Sequence, residues 1–64
     1  MTLEFTVPNM ACSACSDTIT QAVMAIDPHA TVQADLKTKR VTVETQTHET
    51  AIKQAIAAAG YTVA

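Results

Sequence analysis

The chain has 64 residues, 48% hydrophobic and 16% charged, with a formal net charge of −2. That length predicts one small domain over residues 1–64, burying about 60% of the surface its unfolded form exposes and so having a thin core. The acidic balance and the presence of only Phe5 and Tyr61 as aromatic residues exclude a base-stacking nucleic-acid platform, and scarce Gly and Pro argue against disorder.

The longest apolar run, Ala55 to Ala59, is far short of a membrane span, so no direct membrane insertion is expected. No basic region followed by an apolar stretch opens the chain at Met1-Thr2-Leu3-Glu4-Phe5, and the protein reads as cytoplasmic. In a reducing compartment, two cysteines point to metal binding or redox work more than to a structural staple.

Thr2 to Val7 alternates strictly, with Leu3, Phe5 and Val7 on one face, which is the pattern of a half-buried strand. Pro8 ends it by removing a backbone donor, and Asn9 to Ala11 form a loop. From about Ser13 the period becomes helical, with Cys15, Ile19, Ala22, Val23 and Ile26 on the inner face and Met24 opposite. Ser13 is the expected N-cap, Asp17 suits the early helix, and Pro28 stops it.

Thr31 to Leu36 alternates again with Val32, Ala34 and Leu36 inward, and Arg40 to Glu44 returns with Val41 and Val43 inward. The short polar link Lys37-Thr38-Lys39 makes these a hairpin, although no Asn-Gly or Asp-Gly marks the turn. Thr47 is the expected N-cap of a second helix whose inner face is Ile52, Ala55, Ile56 and Ala59, with Gly60 as its C′ residue. Tyr61-Thr62-Val63 is long enough for a short fourth strand. The order β-α-β-β-α-β predicts an α+β, ferredoxin-like fold: a four-stranded antiparallel sheet with two helices on one face.

Because each element reverses direction, the loop with Cys12, the Lys37–Lys39 turn and the Gly60-Tyr61 junction should share one end. His29 and His48 should lie at the other, away from the thiols. Closed zinc sites usually need four ligands, and Cys12 and Cys15 supply only two. Two thiolates suit a soft ion of low coordination number, above all Cu(I), with Zn(II), Ag(I) or Hg(II) as further candidates. Cys15 falls in the first helical turn, where free N–H groups favour thiolate. Cys12 falls on the loop, so one ligand is anchored and one is mobile.

Met10-x-Cys12-x-x-Cys15 between a strand and a helix, in a chain of this order and length, resembles the heavy-metal-associated domain family, and within it the free-standing cytosolic copper chaperones of bacteria. The resemblance covers essentially the whole chain. It implies Cu(I) held by Cys12 and Cys15 and passed by thiolate exchange to a copper-transporting P-type ATPase domain with its own Cys-x-x-Cys pair, without catalytic turnover. Met10 matches the family methionine that packs beneath the loop without ligating metal. Gly60-Tyr61 matches the loop beside the metal, which gives Tyr61 a shielding or hydrogen-bonding role toward sulfur. The Asp27-Pro28-His29-Ala30 stretch departs from the Gly-Val pair of many relatives, at the end remote from the thiols.

Two other readings stand beside the carrier. The same site could belong to a metal-binding domain of a larger transporting ATPase. A Cys-x-x-Cys at a helix start is also redox architecture, but no aromatic residue precedes Cys12 and no proline lies between Arg40 and Ala64 to face the pair. Lys37, Lys39 and Arg40 form either a solvated hairpin or a docking patch for an acidic partner. Two exposed thiol pairs sharing metal would give a homodimer.

Overall fold

The computed structural model describes residues 1–64. Five elements follow one another: β1 (Thr2–Thr6), α1 (Ser13–Ile26), β2 (Thr31–Asp35), β3 (Arg40–Glu44) and α2 (Glu49–Ala58). The strands form an antiparallel sheet in the order β1-β3-β2. Register places Val41 of the central strand opposite Phe5 and Ala34, and Val43 opposite Leu3 and Val32.

The period-two pattern works as it should. Val41 and Val43 are wholly buried, while Thr2, Glu4 and Thr6 face solvent. Ile19 and Val23 of α1 and Ile52 and Ile56 of α2 meet these valines, with Phe5, Val7 and Met10, in one core. Each such side chain contributes about 1.5–3 kcal/mol on burial, against total stability of about 0.05–0.15 kcal/mol per residue. Every core position therefore matters.

The fold is the α+β, ferredoxin-like class expected, with two differences in the sheet. The anticipated fourth strand at Tyr61–Val63 does not form. Its backbone is used otherwise: the Thr62 N–H donates to the Asn9 side-chain oxygen (3.1 Å), and only the Ala64 N–H reaches β1, at the Thr6 carbonyl (2.8 Å). Ala34, expected inward, is exposed: β2 lies at an edge of the sheet, and the small Ala34 side chain opposite Val41 is left uncovered where Phe5 on the other edge is buried. Ile26 is 51% exposed, although it stands two turns from Ile19 on the same face, so its exposure reflects its place in the helix's last turn beyond the core. Met24 is exposed as anticipated.

Both expected N-caps are displaced by one residue. Cys12, extended at φ −151° and ψ 168°, caps α1 and Ser13 is already helical. His48 caps α2, and the Thr47 N–H donates to the Thr45 hydroxyl (3.0 Å). Neither cap uses its side chain, so first-turn N–H groups of α1 remain open beside the cysteines. At the other end of α2, Gly60 adopts φ +97°. The Gly60 N–H donates to Ala57 (3.0 Å) and the Tyr61 N–H to Ile56 (3.3 Å), the paired bonds of a Schellman closure.

The β2–β3 turn replaces the missing glycine signal with a carboxylate. Asp35 accepts from the Lys37 N–H (2.9 Å) and the Thr38 N–H (3.3 Å), and Lys39 takes the left-handed conformation at φ 62°. At the far end, buried Thr45 donates its hydroxyl to Asp27, whose other oxygen accepts the His29 N–H (3.0 Å). This knot joins the α1–β2 and β3–α2 connections.

Two outcomes follow from these contacts. The Thr45 hydroxyl first, and the His29 N–H second, hold Asp27 below the usual carboxylate range. Its folded pKa is below the unfolded value of about 3.9, so its contribution is complete above that pH and is lost as pH falls through the folded value. Urea unfolding of Asp27→Asn should show lower stability than wild type at pH 6, with the gap narrowing as pH falls below about 3.9. Gly60→Ala should cost about 1–2 kcal/mol, since a Cβ there meets backbone strain with no neighbour to clash against; thermal unfolding checks it.

Candidate metal centre

Val7 is followed by a tight turn in which the Met10 N–H donates to the Val7 carbonyl (3.0 Å). The Met10 side chain is fully buried, which pulls this loop onto the core and leaves Ala11 and Cys12 exposed at its crest. Cys12 turns the chain into α1, its carbonyl accepting from the Cys15 N–H (3.0 Å) and the Ser16 N–H (3.2 Å). One helical turn therefore brings the sulfurs together, with Cys12 Sγ and Cys15 Sγ 3.0 Å apart in a thiol hydrogen bond. Both cysteines are free, Cys12 exposed and Cys15 half-buried. Their separation is well beyond the ~2.05 Å of a disulfide.

The surroundings of Cys15 stabilise its anion and lower its pKa from 9.0 to about 7. The largest influence is the Tyr61 phenol, followed by the Cys12 thiol and the Ala11 N–H, with burial opposing them. The effect is mutual, and the neighbouring Cys15 sulfur pushes the Tyr61 phenol upward. The Schellman closure at Gly60 is what turns the chain so that Tyr61 faces the thiols.

Tyr61 and Lys39, both expected at this end, meet the thiol loop there. Lys39 of the hairpin turn donates its ammonium to the Met10 carbonyl (2.8 Å). Asn9 reaches across to the α2 terminus, its amide donating to the Gly60 carbonyl (3.5 Å) and its oxygen accepting the Thr62 N–H (3.1 Å). Arg40 instead turns to the outer face of the sheet and pairs with Glu4 at 3.6 Å, both largely exposed, a contact of little energetic weight. Lys37 is exposed.

His29 lies beyond the C-terminus of α1, a 14-residue helix about 21 Å long, and so far from Cys12. His48 sits at the start of α2, with Tyr61 beyond its other end. No cluster of three or more His, Cys, Asp or Glu side chains forms. The donor set is two sulfurs. Asp17 is exposed and lies just past the first turn of α1, so it adds a negative charge nearby.

Asn9 is the residue that sequence reasoning passes over, and Lys39, read from the sequence as a solvated hairpin or docking residue, is half-buried with its ammonium on the Met10 carbonyl. A lysine at the one turn position that favours glycine is the signal for Lys39; nothing in the local pattern marks Asn9.

The model of the heavy-metal-associated domain family matches residues 4–62, from within β1 to just past α2. The chain belongs to the heavy-metal-associated domain family. Among solved structures, the His61Tyr mutant of the copper chaperone Atx1 from Synechocystis PCC6803, in a trimeric form, is 45% identical over 97% of this chain and 98% of its own, with a TM-score of 0.94. A gold binding protein is 32% identical over 94% of this chain and 92% of its own, with a TM-score of 0.90. The CopZ metallochaperone is 25% identical over 100% of both chains, with a TM-score of 0.90. Among curated protein sequences, none matches the chain. No helix is long and apolar enough to cross a membrane.

Tyr61→Phe removes the largest influence on Cys15. The thiol pKa, followed by thiolate absorbance near 240 nm, should rise from about 7 toward 9.0; a flat response would remove the phenol from the site's electrostatics.

Proposed function

We propose that this chain is a cytoplasmic Cu(I) metallochaperone that carries one ion between Cys12 and Cys15 and has no catalytic turnover. The observation that carries the reading is the exposed sulfur pair, 3.0 Å apart and without an imidazole or carboxylate beside it. Two thiolates satisfy a soft monovalent ion and leave zinc two ligands short. Similarity to Atx1 and CopZ supports copper, and similarity to a gold binding protein supports soft metals as a class, with Zn(II) and Ag(I) as competitors in vitro.

Two sulfurs on opposite sides of one ion stand ~4.5 Å apart if the metal–sulfur bond is near 2.3 Å. Loading therefore opens the pair. Cys12, on the exposed crest, is the sulfur free to move, while Cys15 is fixed by its helix. Cys15, with its pKa near 7, supplies the first thiolate at neutral pH. Metal binding by thiolates displaces protons, so uptake strengthens as pH rises.

The acceptor is a Cys-x-x-Cys domain of a copper-transporting P-type ATPase. Transfer is ligand exchange without electron transfer: an incoming thiolate forms a bond to Cu(I), the bond to Cys12 breaks, and the released sulfur takes up a proton. A second exchange at Cys15 completes delivery. Met10 supports the loop from inside the core, and Tyr61 stands over Cys15 as a hydrogen-bonding shield. A metal-bridged homodimer forms when two sulfur pairs share an ion; the trimeric copper form of the Atx1 His61Tyr mutant supports self-assembly in general.

The deciding experiment is Cu(I) titration of the reduced protein against a strong colorimetric chelator. Wild type should take one ion per monomer, or one shared by a dimer. The Cys12→Ser/Cys15→Ser double variant should lose the site, and His48→Ala should keep it. Failure of folded, reduced wild type to compete, or retention of the site by the double variant, would end the copper reading. Turnover in a disulfide-reductase assay would move the chain to redox enzymes.

A further inference from the structure

We propose that Lys39 is a positioning residue for the thiol pair: its ammonium fixes the loop from which Cys12 projects and sets a permanent cation beneath an anionic copper–dithiolate complex. The inference deepens the copper-carrier reading and rests on it.

Lys39 holds both ends of the tight turn that precedes the cysteines. Its backbone carbonyl accepts the Val7 N–H at 2.7 Å, and its Nζ donates to the Met10 carbonyl at 2.8 Å. The turn's own closing bond runs from Met10 N–H to Val7, so three contacts converge on four residues. Cys12 lies two residues beyond the carbonyl that Lys39 grips.

The backbone supplies a second, independent sign. Lys39 is the one non-glycine residue in the chain with positive φ, at 62°. Glycine fills such a position without the Cβ crowding that a lysine meets. A residue chosen for the turn alone would be Gly or Asn. The strain is retained together with a half-buried ammonium that no carboxylate neutralises. Lys37, two residues earlier in the same turn, is exposed and contributes only its backbone N–H to the turn.

The charge has a clear use. Two thiolates and one Cu(I) carry a net charge of −1, and a fixed cation at the base of the loop favours that state over protonated, empty sulfurs. Tethering the Met10 carbonyl also limits how far Cys12 can swing when an incoming thiolate competes. Both effects slow release.

The test compares Lys39→Gly, Lys39→Met, Lys39→Arg and Lys37→Met with wild type. Three readouts apply: thermal midpoint, Cu(I) affinity and release rate to a chelator, and amide exchange at Ala11 and Cys12 in the metal-free protein. Lys39→Gly should match or exceed the wild-type midpoint, because strain is relieved, yet bind Cu(I) roughly tenfold more weakly and release it faster. Lys39→Met should lose the same affinity without the gain in midpoint. Lys39→Arg should restore most of the affinity, and Lys37→Met should leave it unchanged. Faster exchange at the two loop amides should accompany each loss of affinity.

Wild-type affinity and loop exchange in both Lys39→Gly and Lys39→Met would overturn the proposal, as would an equal loss in Lys37→Met. Absence of Cu(I) binding by wild type would instead overturn the carrier reading and the charge role with it; loop exchange would still decide whether Lys39 holds the loop.

Discussion

A methionine side chain driven into the core is the constraint on which the thiol site depends. Met10 is fully buried, whereas Ala11 and Cys12 are exposed. The backbone must therefore climb out of the core within two residues and enter a helix at once. That abrupt exit leaves Cys12 extended at the cap and Cys15 one turn further on, with the sulfurs meeting at the surface. Burial supplies the energy and the loop supplies the geometry. The chemistry needs both, because donors on an untethered loop would spend much of their time apart.

The second constraint is electrostatic. A serine cap would have used its hydroxyl to satisfy the first free N–H groups of α1. With Cys12 in that place and making no such bond, the positive end of the helix is left for the sulfurs. The Tyr61 phenol and the Ala11 N–H add polar donors from two other segments. Donors from a loop, a helix start and a helix end converge to lower the Cys15 thiol pKa.

Much of this was legible in the residues, for physical reasons that differ by element. Leu3, Phe5 and Val7, and Val41 and Val43, alternate because one face of the sheet is covered; Ile19, Val23, Ile52 and Ile56 recur because helices bury a stripe. Cys12 and Cys15 are conspicuous by their spacing, and topology alone places His29 and His48 at the other end. Cap positions are less visible: Ser13 and Thr47 have suitable hydroxyls, but the choice depends on where the chain leaves the core and enters each helix. The missing fourth strand is a matter of competition, since Asn9, distant in sequence, claims the Thr62 amide. Likewise, the exposure of Ala34 and Ile26 depends on where the sheet and helix cover end, a tertiary fact that no local pattern holds.

The knot of Asp27, Thr45 and His29 and the sulfur pair lie at opposite ends of α1. Their separation, about 21 Å, exceeds two Debye lengths at physiological ionic strength. Tuning of one end is thereby insulated from the other. A lineage can alter the acid tolerance of its scaffold without retuning its sulfur chemistry, or change what stands over the sulfurs without loosening the joint that keeps the connections closed. Such independence gives a chain of only 64 residues room to diversify.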